Sequence, residues 1–447
     1  MAKLERFIFS LFLLFLPTQF GKHFWPDFTL VSGIRIDYLS PTLYVTDILL
    51  ALLFGCIVFR WIKSFQRSKI KDQRSKLQRK PAKFFYISSF IFLFFICTIL
   101  FSSRPLLSLY GGIKILELAF VVIYVAKNVS SRFQLEQIAL LFAISSFFES
   151  LLAVFQYFHQ GSLNGIFYYF GERNFTGATP GIANASIGGT LILRPYATFP
   201  HPNVLAGFLL IAIVLVWNMM IHSNNRLAQS IGVVSLLVNS IALLLTFSRV
   251  VIFLWAILIL FVFVKKYFLS IKQAPARLAV VICISIIFVA ANTVPLVHDL
   301  FLRFSQTSLA GQSVTERIEL VHASWKIILN HPLFGVGLYN FIPALAPLQK
   351  PMPLGLYLQP VHNIFVLVTA ETGVIGLGLF IWLLIATMKR IANFELQIKK
   401  TMFVLLFIIL LTGMFDHYWL TLQQGQLLFA AVLGLSWAKP YIFHPRH

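Results

Sequence analysis

The sequence predicts an all-α, polytopic membrane protein, and three observations carry that prediction. Of its 447 residues, 58% are hydrophobic and only 11% charged, with a mean hydropathy of +0.83. A soluble domain of that composition would expose far too much apolar surface. The apolar residues collect into runs of roughly 17–23, long enough to cross about 30 Å of hydrocarbon as helix. The basic residues behind the net charge of +21 sit in short clusters between those runs. Cytoplasmic loops look like that, whereas a nucleic-acid-binding surface gathers its charge into a patch.

Taken in order, the runs fall near 7–20, 42–60, 84–102, 109–126, 136–158, 203–221, 229–247, 250–265, 278–294, 362–386, 401–419 and 422–438, about twelve in all. The first begins MAKLERFIFSLFLLFLP, but Pro17-Thr18-Gln19-Phe20 follows where a small-residue cleavage site would stand. It reads as an uncleaved span and not as a removed leader. The loop from Arg60 to Lys83 holds ten Lys/Arg against the single Asp72, which makes it cytoplasmic. Alternating outward from it places Lys127, Arg226, Lys265, Lys389 and Lys439 on that same side, with Lys3 and Arg6. Both termini are then cytoplasmic, and the whole chain is expected to form one integral membrane domain. The three cysteines, Cys56, Cys97 and Cys283, all lie in apolar runs without metal or disulfide spacing and read as small core residues.

Three segments are left external, about 21–41, 159–202 and 295–361. The second, rich in Gly, Asn, Thr and aromatics, is expected to be an irregular loop. The third is long enough to carry a helix: Ser313-x-x-Glu316 matches a capping box, and Ile318, Val321, Trp325 and Ile328 recur at helical spacing. His331-Pro332 ends it, and Gly335-Val-Gly337 is expected to make a tight turn.

On the side where positive charge is scarce, arginines are the residues that need explaining. Arg249 follows Thr246-Phe247-Ser248 in the short break between two apolar runs. It either snorkels to anchor a helix end or aims a guanidinium into an external cavity with Thr246 and Ser248 beside it. Arg317 is expected in the first turn of the capped helix, where the macrodipole disfavours a cation. It is either one member of a surface cluster with Glu316 and Glu319, or part of an anion site with the helix N-terminus. Arginine suits phosphate because its planar fork donates two parallel hydrogen bonds and stays charged. His362 opens a membrane helix, as a cap or as a neutral imidazole able to act as a general base. Inside the runs, Lys114 and Glu117 are three apart on one face and neutralise each other. Glu371 is placed to line a cavity below His362, and Glu149 and Asp416 are further intramembrane acids. Such groups also suit transport, which keeps a transporter as the competing class; paired inverted halves with broken helices, its best support, are not evident. No nucleotide-binding, zinc or acidic metal motif is present, so neither a cofactor nor a metal is expected.

The wording of the chain adds to this. Thr246-Phe-Ser-Arg249, Glu316-Arg317 with Trp325, Asn330-His-Pro-Leu-Phe-Gly-Val-Gly337, and Val361-His362-Asn363 with Glu371-Thr-Gly373 resemble the O-antigen ligase and polymerase superfamily. So do Thr198-Phe-Pro-His-Pro-Asn203, Asp416-His417-Tyr418 and Gln423-Gln-Gly-Gln426. The resemblance spans roughly residues 195–435. It implies a GT-C-like, metal-independent, inverting glycosyltransferase that takes a glycan from an undecaprenyl-diphosphate carrier at the outer face of the inner membrane. By motif position, Arg249 and Arg317 would hold the donor diphosphate and His362 would activate the acceptor hydroxyl. Arg194 and Arg303 are candidate further contacts. The implied acceptor is lipid A core for a ligase or another carrier-linked glycan for a polymerase; the other partners are membrane lipids, with no nucleic acid.

Overall fold

A computed structural model describes residues 2–71, 93–132, 135–187, 190–268, 312–348 and 358–438. They are mostly helical, with two short two-stranded ribbons. Six of the described helices are long and apolar enough to cross a membrane: Val45–Phe65, Pro105–Val129, Leu135–His159, Pro202–His222, Arg226–Leu245 and Ile364–Ala392. These meet six of the expected runs. The run at 278–294 lies outside the described residues, and that at 84–102 is described only from 93, as helix.

Other runs form shorter or interrupted helices. The first helix stops at Leu14, because Pro17 cannot continue it and disfavours helix in the residue before it. The run at 401–419 ends as helix at Gly413, and a separate short turn, Tyr418–Thr421, leads into Gln423–Trp437. The helix expected in the third external segment is present as Gln312–Asn330. The second segment is less irregular than expected: it holds a 3-10 turn at Gly165–Phe170 and a hairpin pairing Asn184–Ile187 with Thr190–Leu193. The Gly188-Gly189 pair between those strands is a hairpin signal that the segment's glycine-rich composition hides.

The residues group into two compact units. One comprises Met1–Phe12, Lys22–Phe120 and Glu316–Ile385; the other comprises Leu13–Gly21, Val121–Thr315 and Ala386–His447. In the second, Pro202–His222 is the central helix and most of its residues are buried. Pro202 stands at its first position and His201 accepts from the Asn203 N–H at 3.1 Å, which caps it. It packs on Leu135–His159, Arg226–Leu245, Leu396–Gly413 and Gln423–Trp437. Apolar packing alone is weakly directional in lipid, and polar side chains supply the register. Asn239 donates to Ser146 and accepts from Ser150, both at 2.8 Å, and Asn218 donates to Thr401 at 2.8 Å.

In the first unit the expected Lys114–Glu117 pair is present, with Nζ 2.7 Å from Glu117 Oε2. It has a third member that local spacing does not reveal: Asp47, on the Val45–Lys71 helix, lies 3.1 Å from the same ammonium. Lys114 is buried and is the one cation of the trio. Lys114→Ala is therefore expected to destabilise by about 3 kcal/mol or more, since it leaves two carboxyls uncompensated, whereas Glu117→Gln should cost under about 1 kcal/mol. Apparent melting temperatures in detergent check this; equal losses would remove the trio's asymmetry.

Candidate functional site

The candidate residues divide between the two units. In the first unit the site is built around the start of the Ile364–Ala392 helix. Its cap is Asn363, whose side-chain oxygen accepts from Phe365 N at 2.9 Å and Val366 N at 3.1 Å. His362 therefore stands just ahead of the helix as a half-buried residue, and capping is not its task. Buried Pro360 and Val361 precede it and hold the chain at that point.

Lower down, the same helix is broken. Gly373 takes φ +67° and ψ −173°, outside any helical conformation. The opened backbone groups are taken up by the loop 332–337: Val336 N donates to Ala370 O at 3.0 Å and Gly337 N to Glu371 O at 2.9 Å. Val374 N donates in return to Pro332 O at 2.8 Å. Freed groups at membrane depth must be satisfied by protein, and the His-Pro-Leu-Phe-Gly-Val-Gly stretch does this. Its glycines follow from the close approach. A Cβ on Gly335, which sits at φ +67°, would lie 2.3 Å from the Glu371 carbonyl carbon; one on Gly337 would lie 2.3 Å from Ser102 Oγ. Glu371 accepts from Phe341 N at 3.4 Å, at the start of the short Phe341–Leu345 helix. It thus serves to position that loop, a task nearer to hand than lining a cavity.

Asn340 completes the loop's anchorage. It is fully buried, donates to Ser108 Oγ at 3.0 Å and Leu338 O at 2.8 Å, and accepts from Ser103 Oγ at 3.0 Å. No motif singled it out; the signal was a polar residue directly after the glycine turn.

Arg317 lies exposed on the Gln312–Asn330 helix. Gln312 is already helical, so Ser313 is not the N-cap and Arg317 does not lie in the first turn. Its buried face also differs from the expected stripe. Leu320, Ala323, Ser324, Ile327 and Ile328 are buried, while Ile318, Val321 and Trp325 are exposed. A pattern weighted by hydrophobicity overlooks Ala323 and Ser324, whose small side chains permit close packing. The Ser324 hydroxyl is satisfied by Leu320 O at 2.6 Å.

In the second unit, Arg249 begins the Arg249–Phe268 helix and is exposed. The turn before it is tightly built. Thr246 Oγ1 donates to Leu243 O at 2.6 Å and accepts from Ser248 N at 3.3 Å, so it serves the turn itself. Phe247 sits at φ +53°, a conformation rare for a bulky residue; its burial against Ala185, Tyr157, Ile192 and Leu244 holds it there.

Arg194 reaches that turn. Its Nε donates to Thr246 O and its Nη2 to Asn203 Oδ1, both at 2.7 Å. Asn203 Nδ2 donates to Asp416 Oδ2 at 2.8 Å, and Asp416 Oδ1 accepts from His417 N at 2.8 Å. Three sequence fragments far apart in the chain thereby converge, at 194–203, 246–249 and 416–417. Arg303 lies outside the described residues. The segment 195–199 is pinned from the Leu135–His159 helix. Glu149 accepts from Thr198 N at 3.0 Å and Oγ1 at 2.9 Å, and Gln156 accepts from Tyr196 N at 3.0 Å and Ala197 N at 2.7 Å. Glu149 is thus held by a loop, and Gln156, which the sequence reading missed, shares the task. Buried Tyr196 has its hydroxyl pKa raised, because burial disfavours the phenolate; Ala183 N donates to that hydroxyl at 2.7 Å.

Two comparisons bear on these residues. No curated protein matches the chain. The family model described as O-antigen ligase matches residues 233–381, about a third of the chain. The matched stretch contains Arg249, Arg317, the 330–337 loop, His362 and the break at Gly373; Arg194, Asn203 and Asp416 lie outside it. The match over residues 233–381 therefore supports the resemblance of the chain to the O-antigen ligase and polymerase superfamily.

Proposed function

We propose that this protein is a metal-independent, inverting membrane glycosyltransferase of the O-antigen ligase type. It moves a glycan from an undecaprenyl-diphosphate carrier to an acceptor hydroxyl at the outer face of the inner membrane. The observation that carries the proposal is that one ligase-domain match takes in Arg249, Arg317 and His362 together. The Lys/Arg distribution supports cytoplasmic termini and an external site.

In this reading Arg249 and Arg317 hold the donor diphosphate. His362, as neutral imidazole, takes the proton from the acceptor hydroxyl while that oxygen attacks the anomeric carbon. The bond from that carbon to the diphosphate oxygen breaks, and the carrier diphosphate departs with the electron pair. Its charge grows as it leaves, so guanidinium groups on it stabilise the transition state more than the bound donor. Attack from the face opposite the leaving group inverts the anomeric centre. The acceptor is lipid A core in a ligase or a second carrier-linked glycan in a polymerase.

A transporter reading gains one feature from the fold, the break at Gly373. Backbone from 332–337 fills that break, and among the described residues no second span carries a matching interruption. His362→Ala is expected to lower turnover by about 10²- to 10⁴-fold, the usual worth of a general base, with donor binding retained. A parallel loss of donor binding would remove His362 from the base role.

A further inference from the structure

The stretch 160–172 leaves the Leu135–His159 helix at its end and then turns back along it. Phe167 and Phe170 pack on Phe148, with ring centroids 6.3 and 5.4 Å away, and Phe170 stacks on Phe15 at 6.4 Å. Phe148 is eleven residues before His159 on a helix of 25 residues. At 1.5 Å per residue that helix is about 37 Å long against a hydrocarbon core of about 30 Å. Wherever the core falls along it, Phe148 lies about 10 Å or more inside the core's edge, and a tilt of about 20° changes this little. Phe155 and Phe158, nearer the helix end, are exposed too, as expected where lipid still surrounds the helix.

The turn is also built for a place without water. Glu172, itself buried, accepts from Leu163 N at 2.8 Å, Asn164 N at 2.7 Å and Gln156 Nε2 at 2.7 Å. Phe167 N, Gly171 N and Glu172 N donate to Asn164 O, Tyr168 O and Phe167 O, and Phe170 O accepts from the Thr18 hydroxyl at 2.6 Å. Irregular backbone survives at membrane depth only when protein supplies its partners. Yet three side chains stay largely uncovered: Ile166 is 66% exposed, Tyr168 56% and Tyr169 70%, although the two tyrosine rings meet Phe20, with centroids 5.8 and 6.4 Å away.

We propose that residues 160–172 form a re-entrant turn within the bilayer, and that Ile166, Tyr168 and Tyr169 meet phospholipid in the leaflet at the His159 end of the helix. The tyrosines match this site: their rings are apolar, and each hydroxyl can reach toward the headgroups. The segment is then a lipid-facing part of the membrane domain, although composition reads it as an aqueous loop.

The test uses the full chain with Cys56→Ala, Cys97→Ala and Cys283→Ala, carrying Tyr169→Cys labelled with an environment-sensitive fluorophore in phosphatidylcholine vesicles. Ile166→Cys gives an independent second site, and Asn224→Cys, exposed in the turn between two spans, is the aqueous reference. Strong quenching by acyl-chain nitroxide lipid, with iodide quenching several-fold weaker than at position 224, is expected at both 166 and 169. Iodide quenching equal to that at 224 would overturn the proposal in favour of a solvated loop. Protection from both quenchers would overturn it in favour of a protein cover, such as a second copy of the chain.

Discussion

Replacing Arg317 or Arg249 by alanine is expected to cut glycan transfer by about 10²- to 10³-fold while leaving the amount and fold of the protein unchanged. Both side chains are exposed, so truncation opens no cavity in the core. In the proposed reaction, each substitution removes a charge-assisted donor to a leaving group whose charge is growing. One such donor is worth about 2.7–4 kcal/mol, roughly 10²- to 10³-fold in turnover. Arg317→Lys should recover only part of the activity, because a point charge cannot reproduce the two-pronged fork. Product formation per reconstituted protein checks each variant. Full activity in Arg317→Lys would argue against diphosphate clamping, and loss of the folded protein in either alanine variant would make that arginine an anchor of its helix.

The second large effect is expected at Gly373. Alanine there must hold φ near +67°, and its Cβ would lie 2.1 Å from the Leu333 carbonyl oxygen and 2.2 Å from its carbon. The left-handed conformation alone costs about 1–3 kcal/mol, and the neighbour is backbone of a loop whose Pro332, Val336 and Gly337 are hydrogen-bonded into the break. Gly373→Ala should therefore cost more than about 3 kcal/mol, enough to empty the folded state of a marginally stable protein. Gly378, in the same helix, meets nothing within 4 Å, and Gly378→Ala should be neutral or stabilise by up to about 1 kcal/mol. Size-exclusion recovery and apparent melting temperature in detergent compare the two. If Gly373→Ala melts with the parent protein, the loop–helix insertion is not what holds this region together.

The parts of this molecule that composition and charge balance govern were readable in advance. Apolar run length located six helices long and apolar enough to cross a membrane, because hydrocarbon thickness dictates helix length directly. The same charge balance singled out Arg249 and Arg317 as proposed site residues, because the positive-inside bias turns an external arginine into an anomaly; His362 was proposed from its place at the start of a membrane helix. What stayed hidden depends on partners distant in the chain. The break at Gly373 exists because residues 332–337 supply its hydrogen bonds, and nothing within the Ile364–Ala392 stretch announces it. Asp47 joins Lys114 from another helix, and Glu149, flagged only as a buried acid, is occupied by a loop some fifty residues away. The helix Gln312–Asn330 shows a different limit. Ile318, Val321 and Trp325 make a regular apolar stripe yet are exposed, and the packed face is marked instead by the small Ala323 and Ser324 beside Leu320, Ile327 and Ile328.

The most direct test of the central claim is reconstitution of the purified protein with a polyprenyl-diphosphate-linked glycan and a panel of acceptors, with products read by mass. A glycosyltransferase gives a product heavier by the transferred glycan, releases the carrier diphosphate, and loses both in His362→Ala. The acceptor that is used separates ligase from polymerase. No product with any acceptor, together with movement of the lipid-linked glycan or another solute across the vesicle, would make the protein a transporter and not a transferase.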